Sequence, residues 1–242
     1  MPKKTGWAIE RKCKNVYNYL RTVSKHNKTK IFCVGRNKTG TTSLKVAMEN
    51  LGFVTGNQRT AELLFDDWAK GEFKRIIKYC HTAQFFQDVP FSLPDTFKIL
   101  DISFPNSKFI LTVRDSPEQW YTSITRFHAK IMGENGRLPT REDLQQANYI
   151  YKGRPWHTFK HIYNTPDNNL YNKEILINHY VSHNQAVLDY FKTRPFDLLV
   201  LNIARKGAYK KLLEFLNVES VSANFPWVNR TDDIRNGYET SM

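Results

Sequence analysis

With 242 residues the chain can bury roughly 70–75% of its unfolded surface, so one domain spanning 1–242 is the default expectation. A composition that is 40% apolar and 14% aromatic, without low-complexity tracts or internal repeats, excludes a disordered or repetitive protein. No apolar run approaches the about 18 residues of a membrane-spanning helix, and the formal charge of +13 is concentrated at the start, where residues 1–30 carry nine Lys or Arg and one Glu. Residues 1–29 therefore read as a basic extension, with helical spacing over 7–25 (Trp7, Val16, Tyr19, Leu20, Val23). The run "KIFCVG" at 30–35 predicts a buried strand. The spacing of Leu44, Ala47, Met48 and Leu51 before Gly52 predicts a helix over 41–52. Further along, the pattern predicts an amphipathic helix over 60–79, a strand in "AQFFQDV" at 83–89 and the clearest strand, "KFILTVR", at 108–114. A helix from Pro117 to about Ala129 follows. Residues 131–172, rich in Gly, Pro, Asn, Tyr and His, read as a surface insertion or a substrate-facing cap. A helix over 173–193, a strand in "FDLLVLNI" at 196–203, a helix over 207–218 and an irregular tail from Ser220 complete the chain. Strands this evenly apolar suit an α/β fold, a three-layer open parallel sheet with helices on both faces.

Cys13, Cys33 and Cys80 show no paired spacing, which argues against a disulfide framework and for a reducing compartment. The first 20 residues lack the apolar core of a signal peptide, so a cytoplasmic protein is expected. The basic surplus would favour polyanions. No zinc-finger, basic-zipper or RNA-recognition signature accompanies it, so no specific nucleic-acid partner is expected. His179 and His183 stand four apart without a carboxylate neighbour, and no metal site is predicted.

The loop "GRNKTGTT" lies between a predicted strand and a predicted helix. Gly35 and Gly40 permit tight backbone geometry, and the amides around Gly40, Thr41, Thr42 and Ser43 sit at a positive helix end, a setting for a bound anion. A Walker A loop would place lysine directly after the second glycine. Here Thr41 stands there, and the lysine is Lys38, inside the loop. Thr42 or Ser43 could still meet a metal ion, and Asp88 after its apolar strand resembles a Walker B acid, so an atypical P-loop kinase or NTPase stays open. So does a non-catalytic nucleotide-binding module. The second constellation is "KFILTVRDSPEQWYTS", where Arg114 ends the best strand and Ser123 follows on the next helix, a fork and a hydroxyl suited to one phosphate.

Together "VGRNKTGTTSL" and "FILTVRDSPEQWYTS" resemble the PAPS-dependent sulfotransferases, in the branch with an "RDP…WY.S" 3′-phosphate element. "LLVLNIARKGAYKKLLEFLNV" followed by "FPWVNR" resembles that branch too. The resemblance implies the P-loop NTPase-like sulfotransferase fold, with PAPS as donor and PAP as product. It implies Lys38 at the bridge to the sulfonate, with Arg36, Asn37 and Thr39 along the same loop. Gly40, Thr41, Thr42 and Ser43 would hold the 5′-phosphate, Arg114 the 3′-phosphate, and Lys206–Gly207 would close the nucleotide end. The family's serine usually stands eight positions after the arginine. Here that position is Thr122 and the ninth is Ser123, so either hydroxyl is a candidate. The last loop reads "KGAY" where relatives often carry tryptophan, leaving Tyr209 as a substitute. An acceptor hydroxyl needs a base, and relatives draw a His or carboxylate from the region holding His81 and Asp88; location favours Asp88. The acceptor itself, a hydroxyl or an amine of an alcohol, phenol or glycan, is not written in the sequence, nor is the oligomeric state.

Overall fold

The computed structural model describes residues 29–226, so the basic stretch and its expected helix over 7–25 lie outside the described residues. The first half runs β1 (Ile31–Cys33), α1 (Thr41–Asn50), α2 (Gln58–Glu62), α3 (Phe65–Ala69), α4 (Lys74–Tyr79), β2 (Phe85–Phe86), α5 (Thr96–Ser103) and β3 (Lys108–Thr112). The second runs α6 (Pro117–Met132), α7 (Arg141–Gln146), β4 (Asn148–Tyr149), β5 (Tyr151–Lys152), α8 (Arg154–Ile162), α9 (Lys173–Phe191), β6 (Leu198–Leu201) and α10 (Ala208–Leu216).

β1, β2, β3 and β6 form an all-parallel sheet in the order β2-β1-β3-β6, as the α/β expectation requires. The alternation of side chains across the pleat explains its two apolar faces. Phe32, Phe86, Phe109 and Leu111 point to one face, where α2 to α5 and the end of α9 cover them through Ala61, Leu64, Ile76, Phe97, Leu100 and Phe191. Ile31, Cys33, Phe85 and Ile110 point to the other, covered by Leu44 and Met48 of α1 and Tyr209 and Leu212 of α10. A third cluster joins α6 to α9 around Trp120, Leu144, Phe159 and Tyr180. Residues 131–172 thus have an apolar anchor of their own.

Several boundaries differ from the sequence expectation. The helix expected over 60–79 is three short helices, interrupted after Leu63 and again near Gly71, whose φ of 73° no regular helix accepts. The strand expected over 83–89 is two residues long, because Asp88 turns left-handed at φ 59°. Helix α6 runs three residues beyond Ala129, and helix α5, between Pro94 and Pro105, was not expected.

From β1 the chain crosses to β2 on one side, then returns past β1 to β3 on the other. The loops after β1 and β3 therefore diverge at the carboxyl edge of the sheet, where open α/β sheets form their crevice. Gly35 is pressed into this divergence. A Cβ there would lie 2.1 Å from Thr112 Oγ1 and 2.5 Å from the backbone N and O of Thr112. Because the clash is with backbone, Gly35→Ala is expected to cost about 1–3 kcal/mol of stability, measured by equilibrium denaturation.

Candidate active site

The loop after β1 is fastened by its carbonyls. His183 Nε2 donates to Val34 O at 2.8 Å, Thr39 Oγ1 to Arg36 O at 2.5 Å, Trp120 Nε1 to Asn37 O at 3.0 Å and Arg114 Nε to Lys38 O at 2.6 Å. Three of these donors come from the protein body and Thr39 from the loop itself, so these four carbonyls are satisfied away from the cavity. Lys38 takes φ 65° and Gly40 φ 96°, and a Cβ on Gly40 would strike Ile203 Cδ1 at 2.1 Å. Helix α1 then starts with no side-chain cap, unlike α6, α7 and α9, which Ser116, Thr140 and Asn172 cap. Its positive end opens on a cavity of about 350 Å³.

Arg36, Asn37, Lys38, Gly40, Thr41, Thr42, Ser43, Asp88, Arg114 and Ser123 all line this cavity. Most of the residues singled out in the sequence therefore come together. Thr39 does not join them. It is fully buried, with its hydroxyl between Arg36 O and Thr112 Oγ1, 2.6 Å from the latter, and it supports the loop from beneath. Thr122 is exposed and lies outside the lining, whereas Ser123 is within it, so the longer spacing to the ninth position is the one that brings a hydroxyl to the cavity. His81 is exposed on a turn after α4, edge-on to Phe104 at 5.3 Å and away from the lining. Lys206 and Gly207 also lie outside it. Gly207 begins α10 at φ 79°, and Tyr209 is buried against Phe225 rather than facing the cavity. Their loop nonetheless reaches the β3 loop, because Asn202 Nδ2 and Arg205 Nε both donate to Asp115 Oδ1, at 2.9 and 2.6 Å.

The electrostatics oppose the folded state's own interests. Burial, together with the charge of Arg114, lowers the Lys38 ammonium to about 8; its Nζ rests 3.7 Å from the centre of the Phe127 ring. Asp88 keeps some surface toward the cavity, yet burial pushes its carboxyl up against the pull of the Val89 amide and of Arg36, Lys38 and Arg154. Arg36 is 2% exposed and donates Nη1 to Ser92 O at 2.7 Å, with Nε unpartnered. His128 lines the same cavity, held neutral near 3 by burial and by Lys38, with Nδ1 3.0 Å from the Tyr171 hydroxyl. The sequence does not single out Glu62, and marks Tyr149 and Arg154 only as part of the segment 131–172 read as a surface insertion or a substrate-facing cap. They line the far wall, and Tyr149 donates to Glu62 Oε1 at 2.6 Å across 87 residues of chain.

Strand, amide-presenting loop and uncapped helix, with a lysine inside the loop and an arginine and serine from the next strand and helix, form an anion cradle facing a carboxylate. A sulfotransferase domain matches residues 30–234, most of the chain. The chain belongs to this sulfotransferase family. A search of curated proteins finds no matching relative. Sulfuryl transfer in general follows from the family, and the parallel sheet agrees with its fold. No helix among the described residues is long and apolar enough to cross a membrane.

Lys38 provides a test of the cradle without ligand. Its pKa falls from 10.5 to about 8 on folding, so between those values the unfolded chain binds more protons and stability rises with pH. The charged form costs stability below pH 8. Lys38→Met is expected to be more stable than the native chain at pH 7, with the gap closing as the pH rises from about 8 toward 10.5, in denaturant titrations at fixed pH.

Proposed function

We propose that the protein transfers the sulfuryl group of PAPS to a hydroxyl of a small acceptor by in-line displacement. The observation that carries this reading is the convergence of Lys38, Arg114 and Ser123 with an uncapped helix start on one cavity that Asp88 also lines. PAPS, when bound, supplies a sulfuryl group on a phosphate leaving group. The chain has fitting partners for its anionic parts. The start of α1 with Thr41, Thr42 and Ser43 suits the 5′-phosphate, and Arg114 with Ser123 suits the 3′-phosphate.

Lys38 is the cation nearest in role to the leaving oxygen. A flexible ammonium held against a ring face can exchange that contact for a developing negative charge, and an anion beside it restores the proton affinity that burial removes. Asp88 takes the acceptor's proton as the new O–S bond forms and the bond to the departing phosphate breaks. Its raised proton affinity makes it a stronger base than an ordinary aspartate, and Arg36 and Arg154 balance the charge it carries beforehand. His81 is exposed and outside the cavity lining, which supports Asp88 as the base. The segment 131–172 supplies the acceptor-side wall through Leu144, Tyr149, Phe159 and Tyr163, which supports a substrate-facing cap. The kinase alternative asks for a lysine after Gly40, where Thr41 begins the helix.

Calorimetric titration is expected to give PAP a dissociation constant in the micromolar range or tighter, with ATP·Mg at least about tenfold weaker. Preference for ATP·Mg would overturn the donor assignment. Asp88→Asn is the clean test of the base, because asparagine tolerates the left-handed φ of 59°. It is expected to keep PAP affinity and to lower the transfer rate by about a hundredfold or more, read as sulfated product by mass detection; unchanged turnover removes Asp88 from the mechanism.

A further inference from the structure

The wall across from the loop holds a group that neither the cradle nor the base employs. Glu62, at the end of α2, is 8% exposed and lines the cavity. Its Oε1 accepts from the Tyr149 hydroxyl at 2.6 Å and from Gln58 Nε2 at 3.4 Å, which fixes the carboxylate in place. Among the described residues no hydrogen bond is made to its Oε2. Oε2 is nevertheless not among the buried side-chain atoms left without a partner, so it keeps access to the cavity and is open to a donor from a bound molecule. Burial and the charge of Asp88 both push the Glu62 carboxyl up, against Tyr149, Arg154 and Gln58. Beside it Arg154, 2% exposed, donates Nη2 to the Glu62 backbone O at 3.3 Å and lies 4.0 Å from the Phe65 ring centre, with Nε unpartnered.

We propose that Glu62 is a specificity-determining residue whose Oε2 accepts a hydrogen bond from a neutral hydroxyl of the acceptor, distinct from the hydroxyl that reacts. The inference rests on the sulfuryl-transfer reading and names the acceptor class. Charge balance selects a neutral group. Asp88 and Glu62 face Arg36 and Arg154, while Lys38 and Arg114 answer to the donor's phosphates. An acceptor ammonium would meet the Arg154 guanidinium, and an acceptor carboxylate would meet Glu62. Leu93, Ile131, Met132, Phe159 and Ile162 also line the cavity and suit an apolar frame. The acceptor is therefore a diol on an apolar skeleton, one hydroxyl at Asp88 and the other at Glu62.

The test uses the full chain saturated with PAP and titrates it calorimetrically with the two naphthols and the isomeric dihydroxynaphthalenes. At least one diol is expected to bind about tenfold or more tightly than either naphthol, the scale of one hydrogen bond to a charged group. In Glu62→Gln that preference is expected to fall to within about twofold, with PAP affinity retained; Glu62→Asp, which withdraws the oxygen but keeps its charge, is expected to do the same. Equal binding of diols and naphthols by the native chain overturns the inference, as does a failure of all of them to bind the PAP complex. A variant with native PAP affinity that keeps the preference overturns it too. Failure of the native chain to bind PAP at all, seen before any diol is added, defeats the donor reading instead.

Discussion

The site depends on four carbonyls being held from behind. Val34, Arg36, Asn37 and Lys38 accept hydrogen bonds from His183, Thr39, Trp120 and Arg114, donors from two helices, the loop itself and the end of β3. With these four carbonyls engaged on the protein side, the loop is free to turn backbone amides toward a ligand. The sheet order makes this feasible, because the chain's reversal between β1 and β3 leaves a crevice into which α6 and α9 reach. Arg114 serves twice in this scheme, through Nε as a brace for the loop and through the rest of its guanidinium as part of the cavity wall.

The same crevice carries charges that the empty fold would be better without. Lys38 loses proton affinity, Asp88 and Glu62 gain it, and two buried arginines keep an unpartnered Nε. Neutralising such groups usually stabilises a protein, and their survival at a cavity marks a place where selection acts on something other than stability. Three neighbouring histidines obey the opposite rule. His128, His179 and His183 are all held far below the usual imidazole range by burial, so they serve as neutral packing and hydrogen-bonding groups.

How much of this was readable beforehand follows the range of the interactions. The parallel sheet rests on contiguous patterns and the structure repeats it, and Lys38 and Arg114, each singled out from its own motif, line one cavity. The orientation of like residues was not readable. Thr39 points under the loop while Thr41 and Thr42 line the cavity, and only the tilt of the turn at Lys38 and Gly40 separates them. Nor could the far wall be read. Glu62, Tyr149 and Arg154 look like ordinary surface residues in isolation and become a unit only when residues 131–172 fold back on α2. Asp115, next to Arg114 in the sequence, pairs with Arg205, ninety positions away, which no local pattern shows.

The third apolar cluster gives the molecule a seam. Residues of the cradle belong to the sheet and to the helix starts around it, whereas the opposite wall hangs on α7, α8 and the packing of Phe159 and Tyr163 on α6 and α9. Across that seam Tyr149 meets Glu62, Tyr151 meets Asp66 and Arg154 meets Phe65. Inheritance can therefore treat them separately. Replacements at Leu144, Phe159 or Tyr163 would reshape that side of the cavity while leaving Lys38, Thr41, Thr42 and Arg114 in place, so the two walls can change independently of one another.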